Sequence, residues 1–405
     1  MVGRRSTGDV GMLRRPCSPP PFFERQTVAV AETLFFWTVT ASWLVVVVAM
    51  AIGVRRLPAL PSIASPPQDS VVSVVIPARN EALSIETTVR RVLAQREVDL
   101  EVILVDDRSD DGTGAILDRL ADADERIRVL HIEDLPEGWL GKCNALHVGA
   151  RQARGEWILF LDADTWMTPL VIGRAVQAAR RDGADHVCLM PRQRDATMLG
   201  KACILMLLAG VPDVMNKANR DRAGVGFGAF NLVRADALRD IGGYATLRLE
   251  VVDDLQLGRV LYRAGKRTRG YFAGRDVEMD LARTPAGLVK AVQKNAFAIL
   301  RYSVPIAALI GLILTAMLAG AVAGPVVGGP GPVAAGMSYL ALAIPGTMLA
   351  RRYGWPVLAG MLAPVDLQVV LFAGCNSVLT TLVRGGVRWR DDFHRLAELR
   401  RAMVR

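Results

Sequence analysis

Residues 158–164 read Ile158-Leu159-Phe160-Leu161-Asp162-Ala163-Asp164, four apolar side chains followed by two carboxylates one residue apart. A short continuous apolar run suits a strand buried on both faces, and open α/β sheets bind their ligands at the carboxyl ends of such strands. The pattern predicts that Asp162 and Asp164 face a crevice. Alternate residues of an extended segment point the same way, so both carboxylates can meet one hard cation such as Mg2+ or Mn2+, which would clamp a diphosphate. Taken alone, Asp-x-Asp is also common in helix caps and solvated turns, so its surroundings decide the reading.

Working outward, strand-like and helix-like patterns alternate as a parallel sheet covered on both faces requires. Residues 71–76 form a β-branched strand stopped by Pro77, and a helix follows from about Leu83. Residues 101–105 make a second strand ending in Asp106-Asp107, and residues 126–132 a third. A helix over residues 142–153 leads into the strand before Asp162. Three strand ends thus carry polar residues: Pro77-Ala78-Arg79-Asn80-Glu81, the stretch from Asp106 to Thr113, and Asp162-Ala163-Asp164. A doubly wound sheet gathers all three along one edge. There Glu81 and Asp107 can accept a pyrimidine N–H, while Arg79 and Lys142 offset phosphate charge. Singly, Asn80-Glu81 also reads as a helix start and Ser109-Asp110-Asp111-Gly112 as a turn and cap. Further on, Val252-Asp253-Asp254-Leu255 opens a helix running to Ala264, where the helix dipole favours anionic side chains.

This set of motifs resembles the family-two inverting glycosyltransferases of GT-A fold, specifically their membrane-anchored branch, over roughly residues 70–305. Residues 135–142 (Leu-Pro-Glu-Gly-Trp-Leu-Gly-Lys) are similar to a segment of carotenoid- and hopanoid-associated members. The resemblance implies an α/β, Rossmann-like nucleotide-sugar domain in which Pro77, Arg79, Glu81, Asp107, Lys142 and Asp162 bind the nucleotide. It implies that Asp164 holds Mg2+ or Mn2+, and that Asp254, the second acidic residue of its pair, is the base that deprotonates the acceptor. Asp253 stands where the family usually has Glu. The glycine-rich segment 224–231, with Gly228, looks like the family's strand flanking donor sugar and acceptor. The family's Gln-x-x-Arg-Trp place reads Ala298-Ile299-Leu300-Arg301-Tyr302, where Arg301 and Tyr302 are candidates for the diphosphate and acceptor, or simply an interfacial anchor. Residues 384–390 resemble a Trp-Lys/Arg tail of carotenoid-type members and are read as marking class and topology, without a catalytic part.

Composition adds a membrane. The 405 residues are 51% hydrophobic with a positive mean hydropathy, too apolar for an ordinary soluble enzyme. Residues 33–53 are 21 positions without a charge, read as a retained anchor in preference to a cleaved signal. Residues 304–350 hold no charge in 47 positions and break at glycine and proline midway, a hairpin crossing twice. Arg351 and Arg352 put the return side in the cytosol. The resulting division is a disordered segment 1–27, an anchor 28–56, the catalytic domain 57–303, the hairpin 304–350, a re-entrant, interfacial or transmembrane segment 351–383, and a basic cytosolic tail 384–405. The net charge of +9 is scattered beside membrane segments, which points to anionic lipid and away from nucleic acid. Five cysteines without metal-type spacing exclude a disulfide framework and fit a cytosolic domain, and His131, His147, His186 and His394 lack ligand spacing.

The expected activity is transfer of a sugar from a nucleotide donor, UDP-linked, to a membrane lipid with inversion. Two rivals remain at this level: a glycan-polymerising synthase, which needs more crossings, and a nucleotide-sugar-binding scaffold without turnover. A dinucleotide oxidoreductase is disfavoured because no Gly-x-Gly-x-x-Gly follows the first strand.

Overall fold

The computed structural model describes residues 22–62, 70–326, 329–389 and 392–404. Most of the expected disordered segment 1–27 therefore lies outside the described residues, and the first helix, α1 (Phe22–Arg56), begins inside that segment. The sheet starts with β1 (Val71–Ala78), followed by α2 (Ile85–Leu93), β2 (Asp99–Asp107), α3 (Thr113–Ala123), β3 (Ile127–Ile132), α4 (Gly141–Gln152) and β4 (Trp157–Phe160). It continues through β5 (Trp166–Met167), α5 (Val171–Arg181), β6 (His186–Gln193), α6 (Met198–Leu208) and α7 (Val211–Ala218). Next come β7 (Asn231–Arg234), α8 (Ala235–Asp240), α9 (Asp253–Arg263), β8 (Thr268–Met279), α10 (Pro285–Gln293) and α11 (Ala296–Ile299). The apolar helices α12 (Val304–Ala323), α13 (Gly331–Tyr353) and α14 (Val357–Arg384) precede a terminal hairpin, β9 (Gly386–Trp389) and β10 (Asp392–Arg395), and α15 (Leu396–Ala402).

Eight strands form one sheet in the order β3-β2-β1-β4-β7-β6-β8-β5. The first four are parallel, as the alternating pattern predicts. The second half is mixed, because β7 runs antiparallel to both β4 and β6, and β5 antiparallel to β8. The wholly parallel expectation fails here because β7 enters from a loop instead of from a crossover helix, so nothing forces a parallel return. For the same reason the predicted strand over 224–231 is a loop that becomes strand only at Asn231.

Both faces of the sheet are covered, which is why its strands read as continuous apolar runs. Val72, Val74 and Ile76 of β1 pack with α2, α3 and α5 through Ile85, Val89, Leu117 and Val176. Val75, one residue out of phase, packs on the other face with Leu146 of α4 and Leu257 and Leu261 of α9. This two-sided burial fixes the register, since a one-residue slip would exchange the faces.

Among the described residues, five stretches are long and apolar enough to cross a membrane: 27–56, 198–218, 304–323, 331–353 and 357–384. Residues 304–350 fold as two helices, and residues 357–384 are one continuous helix in spite of Pro364. The stretch 198–218, which carries α6 and α7, escapes the charge-free test because Lys201, Asp213 and Lys217 interrupt it. The bundle shares a core with the sheet domain. Val54 and Leu57 at the end of α1 bury against Met190, Phe272, Tyr353 and Trp355, and Leu60 N donates to the carbonyl of Phe272 at 3.1 Å.

Candidate active site

The carboxyl ends of β1, β2 and β4 open on a cleft of two joined cavities of about 250 and 400 Å³. The smaller is lined by Pro77, Arg79, Glu81, Asp107, Lys142, Asp162 and Asp164 from the predicted motifs, and by Lys294, Arg388 and Trp389 from far along the chain. The larger shares Lys142, Asp162, Asp164, Lys294 and Trp389 and adds Gly228, Asp253 and Asp254, with Ile204, Leu208, Phe227, Met279 and Leu281 as an apolar wall.

The two motif loops after β1 and β2 are tied to each other. Asn80 N donates to Ser109 Oγ at 3.1 Å, Glu81 N to Thr113 Oγ1 at 2.8 Å, and Asp110 N to Asn80 Oδ1 at 2.9 Å. Asn80 and Arg108 take positive φ angles of 56° and 60°, a left-handed backbone that costs energy in non-glycine residues and is held by these cross-links. Ser109, Asp111 and Thr113 therefore tie the two loops together, whereas Asp107, 3% exposed, lines the cleft. Arg108 Nε donates to Asp107 Oδ1 at 2.9 Å, fixing the carboxylate's orientation.

Lys142 is the hinge between the cavities. Its Nζ donates to Asp162 Oδ1 at 2.7 Å and lies 3.7 Å from Asp253 Oδ1. Burial works against its charge, but Asp162, Asp253 and Asp254 outweigh that and hold the ammonium well above its ordinary range. The acidic side is opposed in turn. Burial, then Asp162 and Glu81, push Asp164 up to about 7. Asp254 is pushed up to about 6 by burial first and by its neighbour Asp253 second. Tyr244 Oη donates to Asp253 Oδ2 at 3.3 Å, so Asp253 is anchored from behind while Asp254 faces the cavity.

Gly228 lies between the two carboxylates. A Cβ built there would stand 3.0 Å from Asp162 Oδ2 and 3.2 Å from Asp254 Oδ2, so only glycine lets the loop approach both. Its neighbour Asn231 braces the loop, accepting from Phe227 N at 3.1 Å and donating to Phe227 O at 2.6 Å.

The chemistry of the donor set fits a divalent cation that arrives with a phosphate. Among the described residues no three His, Cys, Asp or Glu side chains converge into a ready-made metal cage. Mg2+ needs none, since it is commonly held by one or two carboxylates with substrate oxygens and water. Asp164, pushed up to about 7 by burial first and then by Asp162 and Glu81, is the carboxylate that a cation would relieve.

Ten of the predicted site residues, Pro77, Arg79, Glu81, Asp107, Lys142, Asp162, Asp164, Gly228, Asp253 and Asp254, line this cleft. Arg301 and Tyr302 do not. Arg301 is exposed and donates to the Val404 carbonyl at 3.2 Å, and Tyr302, 3% exposed, packs edge-on against Phe297. They lie outside the cleft, and the adjacent cation–aromatic pair that lines it is Arg388 and Trp389. Their signal was present in the sequence, in residues 384–390, which read there as marking class and topology without a catalytic part.

Residues 73–241 match the family described as Glycosyl transferase family 2. Glycosyltransferase AglD of Haloferax volcanii is 35% identical over 184 residues, covering 42% of this chain and 28% of that protein. An undecaprenyl-phosphate 4-deoxy-4-formamido-L-arabinose transferase of Aeromonas hydrophila is 37% identical over 134 residues, covering 32% and 40%. The chain thus spans well under half the length of the curated relatives it matches. Among solved structures, the mannosyltransferase PcManGT from Pyrobaculum calidifontis, in complex with GDP-Man and Mn2+, superposes with a TM-score of 0.52 at 17% identity, over 89% of this chain and 100% of that one. That likeness is one of fold. Residues 73–241 thus form a glycosyl transferase family 2 domain, and its mixed α/β sheet is of the GT-A type of fold.

Proposed function

We propose that this protein transfers a sugar from a nucleotide diphosphate donor, UDP-linked, to a membrane lipid with inversion at the anomeric carbon. The observation that carries this reading is the convergence of Asp162 and Asp254 on Gly228, where two cavities of different character meet. The smaller, ringed by charged side chains, suits the nucleotide. The larger has the apolar wall of Ile204, Leu208, Phe227, Met279 and Leu281, and α6, which carries two of these, lies in an apolar stretch long enough to cross a membrane. Such a wall suits the apolar chain of a lipid. Relatives that act on undecaprenyl-linked substrates support this acceptor class. Narrower kinship with carotenoid- or hopanoid-associated members rests on residues 135–142 and 384–390 alone.

In this reading Asp254 accepts the proton of the acceptor hydroxyl as its oxygen attacks, and the nucleoside diphosphate leaves from the opposite side. Asp107 and Glu81 hold the base, with Arg79 beside them, and Lys142 orients Asp162. Asp164 with Asp162 would hold Mg2+ or Mn2+, which when bound neutralises charge on the departing diphosphate. The sheet domain faces the cytosol, on the side of Arg351 and Arg352. The chain divides functionally into the anchor α1, the sheet domain, the apolar hairpin and the helix α14.

The test is transfer by detergent-solubilised protein with Mg2+ or Mn2+, a panel of nucleotide sugars and total membrane lipid, comparing wild type with Asp254→Asn. A glycolipid that needs metal and disappears in the variant supports the reading. Tight nucleotide binding without transfer from any donor supports the scaffold alternative.

A further inference from the structure

The chain beyond α14 is built into the cleft. Gly385, at φ +68°, ends the helix in the left-handed conformation and reverses the chain, and Leu396 N closes the hairpin on Gly385 O at 2.8 Å. Val387, Leu396 and Leu399 bury in one cluster with Leu140, Cys143, Val251 and Val252, the residues on either side of Lys142 and before Asp253. At the nucleotide end, Asp392 Oδ2 accepts from Arg79 Nη1 and Arg108 Nη2, both at 3.1 Å. The hairpin is thus fastened at both ends, by apolar packing and by a carboxylate shared between two arginines.

Four cations line the smaller cavity, and three have partners. Arg79 meets Asp392 at 3.1 Å and Asp107 at 3.9 Å. Lys142 meets Asp162 at 2.7 Å. Lys294 Nζ sits 3.5 Å from the centre of the Trp389 ring. Arg388, exposed in β9, makes no hydrogen bond or ion pair among the described residues. A planar guanidinium without a carboxylate partner, held in a cleft by a fastened hairpin, is suited to bind two phosphate oxygens.

We infer that Arg388, supplied by the tail outside the family-matched segment, binds the diphosphate of the donor, and that Asp392 is a positioning residue that keeps β9 over the cleft. The inference rests on the nucleotide-sugar reading above. The tail then completes the donor site from the far side of the apolar helices, so that the last helix and the nucleotide are mechanically joined.

Binding isolates this role without turnover. UDP, GDP, uridine and guanosine are titrated in Mg2+ against the full chain in detergent, as wild type, Arg388→Ala, Arg388→Lys and Asp392→Asn. Loss of a charge-assisted contact predicts diphosphate affinity about tenfold or more lower in Arg388→Ala, with nucleoside affinity unchanged and partial recovery in Arg388→Lys. Asp392→Asn is expected to weaken the diphosphate in the same direction, by less. Unchanged nucleoside binding certifies the fold of each variant. If Arg388→Ala binds the diphosphate as wild type does, or loses nucleoside and diphosphate equally, the inference is overturned while the nucleotide site stands. If wild type binds neither UDP nor GDP, the nucleotide reading fails and takes the inference with it.

Discussion

The two cavities of the cleft are built in different ways. The smaller is largely the work of the neighbouring strand ends β2, β1 and β4, whose loops fall within ninety residues, and the loops after β1 and β2 hydrogen-bond across 29 to 32 positions of sequence. The larger is assembled from the loop before β7, the start of α9, α6, α10 and the tail, elements that meet only through packing. Local assembly makes the first cavity rigid and easy to recognise. Assembly from remote parts places Asp254 and the apolar wall, which in the proposed reading act as base and acceptor wall, where each can vary without disturbing the smaller cavity.

The sharpest way to break this division is at Asp254, which touches only the larger cavity. Asp254→Asn should lower transfer by about 10³-fold, within the range of a lost general base, and leave nucleotide affinity within about twofold. A matching loss of nucleotide binding would mean that the cavities are not separate. Asp164→Asn, in contrast, sits in both. Transfer should fall roughly 10²-fold, and the Mn2+ concentration for half-maximal nucleotide binding should rise, measured by metal titration with UDP or GDP. A variant that keeps its metal response would remove Asp164 from the metal site.

Gly228→Ala tests the junction itself. Its Cβ would stand 3.0 Å from Asp162 Oδ2 and 3.2 Å from Asp254 Oδ2, so one carboxylate must shift by a few tenths of an ångström. A loss of about tenfold in kcat is expected with little change in melting temperature, read by transfer kinetics and thermal unfolding. Equal loss of both would instead mark a folding defect.

The smallest effect is on pH dependence. As the proposed base, Asp254 would accept a proton only when ionised, and its carboxyl is pushed up to about 6. At saturating donor, kcat should therefore fall about tenfold per pH unit below ~6 and level off above it. Asp253 raises this value and Lys142 lowers it. Asp253→Asn should move the acid limb to lower pH and Lys142→Ala to higher pH, and shifts of the same sign would exclude Asp254 as the titrating group. His131, raised by its bonds to Asp118 and Asp106, lies at the edge of the sheet and should not affect this limb.

The first half of the sheet was legible because its strands are buried on both faces, so that continuous apolar runs ending in polar residues announce strand and site together. Asp107, Asp162 and Asp164 follow directly from that pattern. Asp253 and Asp254 needed family resemblance, since an acidic pair at a helix start is chemically ordinary. The antiparallel turn at β7 was not legible, because a four-residue strand after a glycine-rich loop carries no directional signal. Arg301 and Tyr302 were misplaced for a related reason. A cation beside an aromatic before an apolar helix reads the same whether it faces a cleft or a packed cluster, and only the course of α11 separates the two.

Short windows of the chain were enough for the parallel half of the sheet, for its polar strand ends with Asp107, Asp162 and Asp164, and for the charge-free stretches of α1, α12 and α13, because periodicity and residue chemistry speak locally there. Tertiary structure alone decided that Gly228 brings Asp162 and Asp254 within reach, that Ile204 and Leu208 wall the larger cavity, and that Arg388, Trp389 and Asp392 return from beyond the last apolar helix to the nucleotide end. Those contacts join residues up to 313 positions apart. They depend on how buried surfaces fit together, which no single stretch of chain encodes.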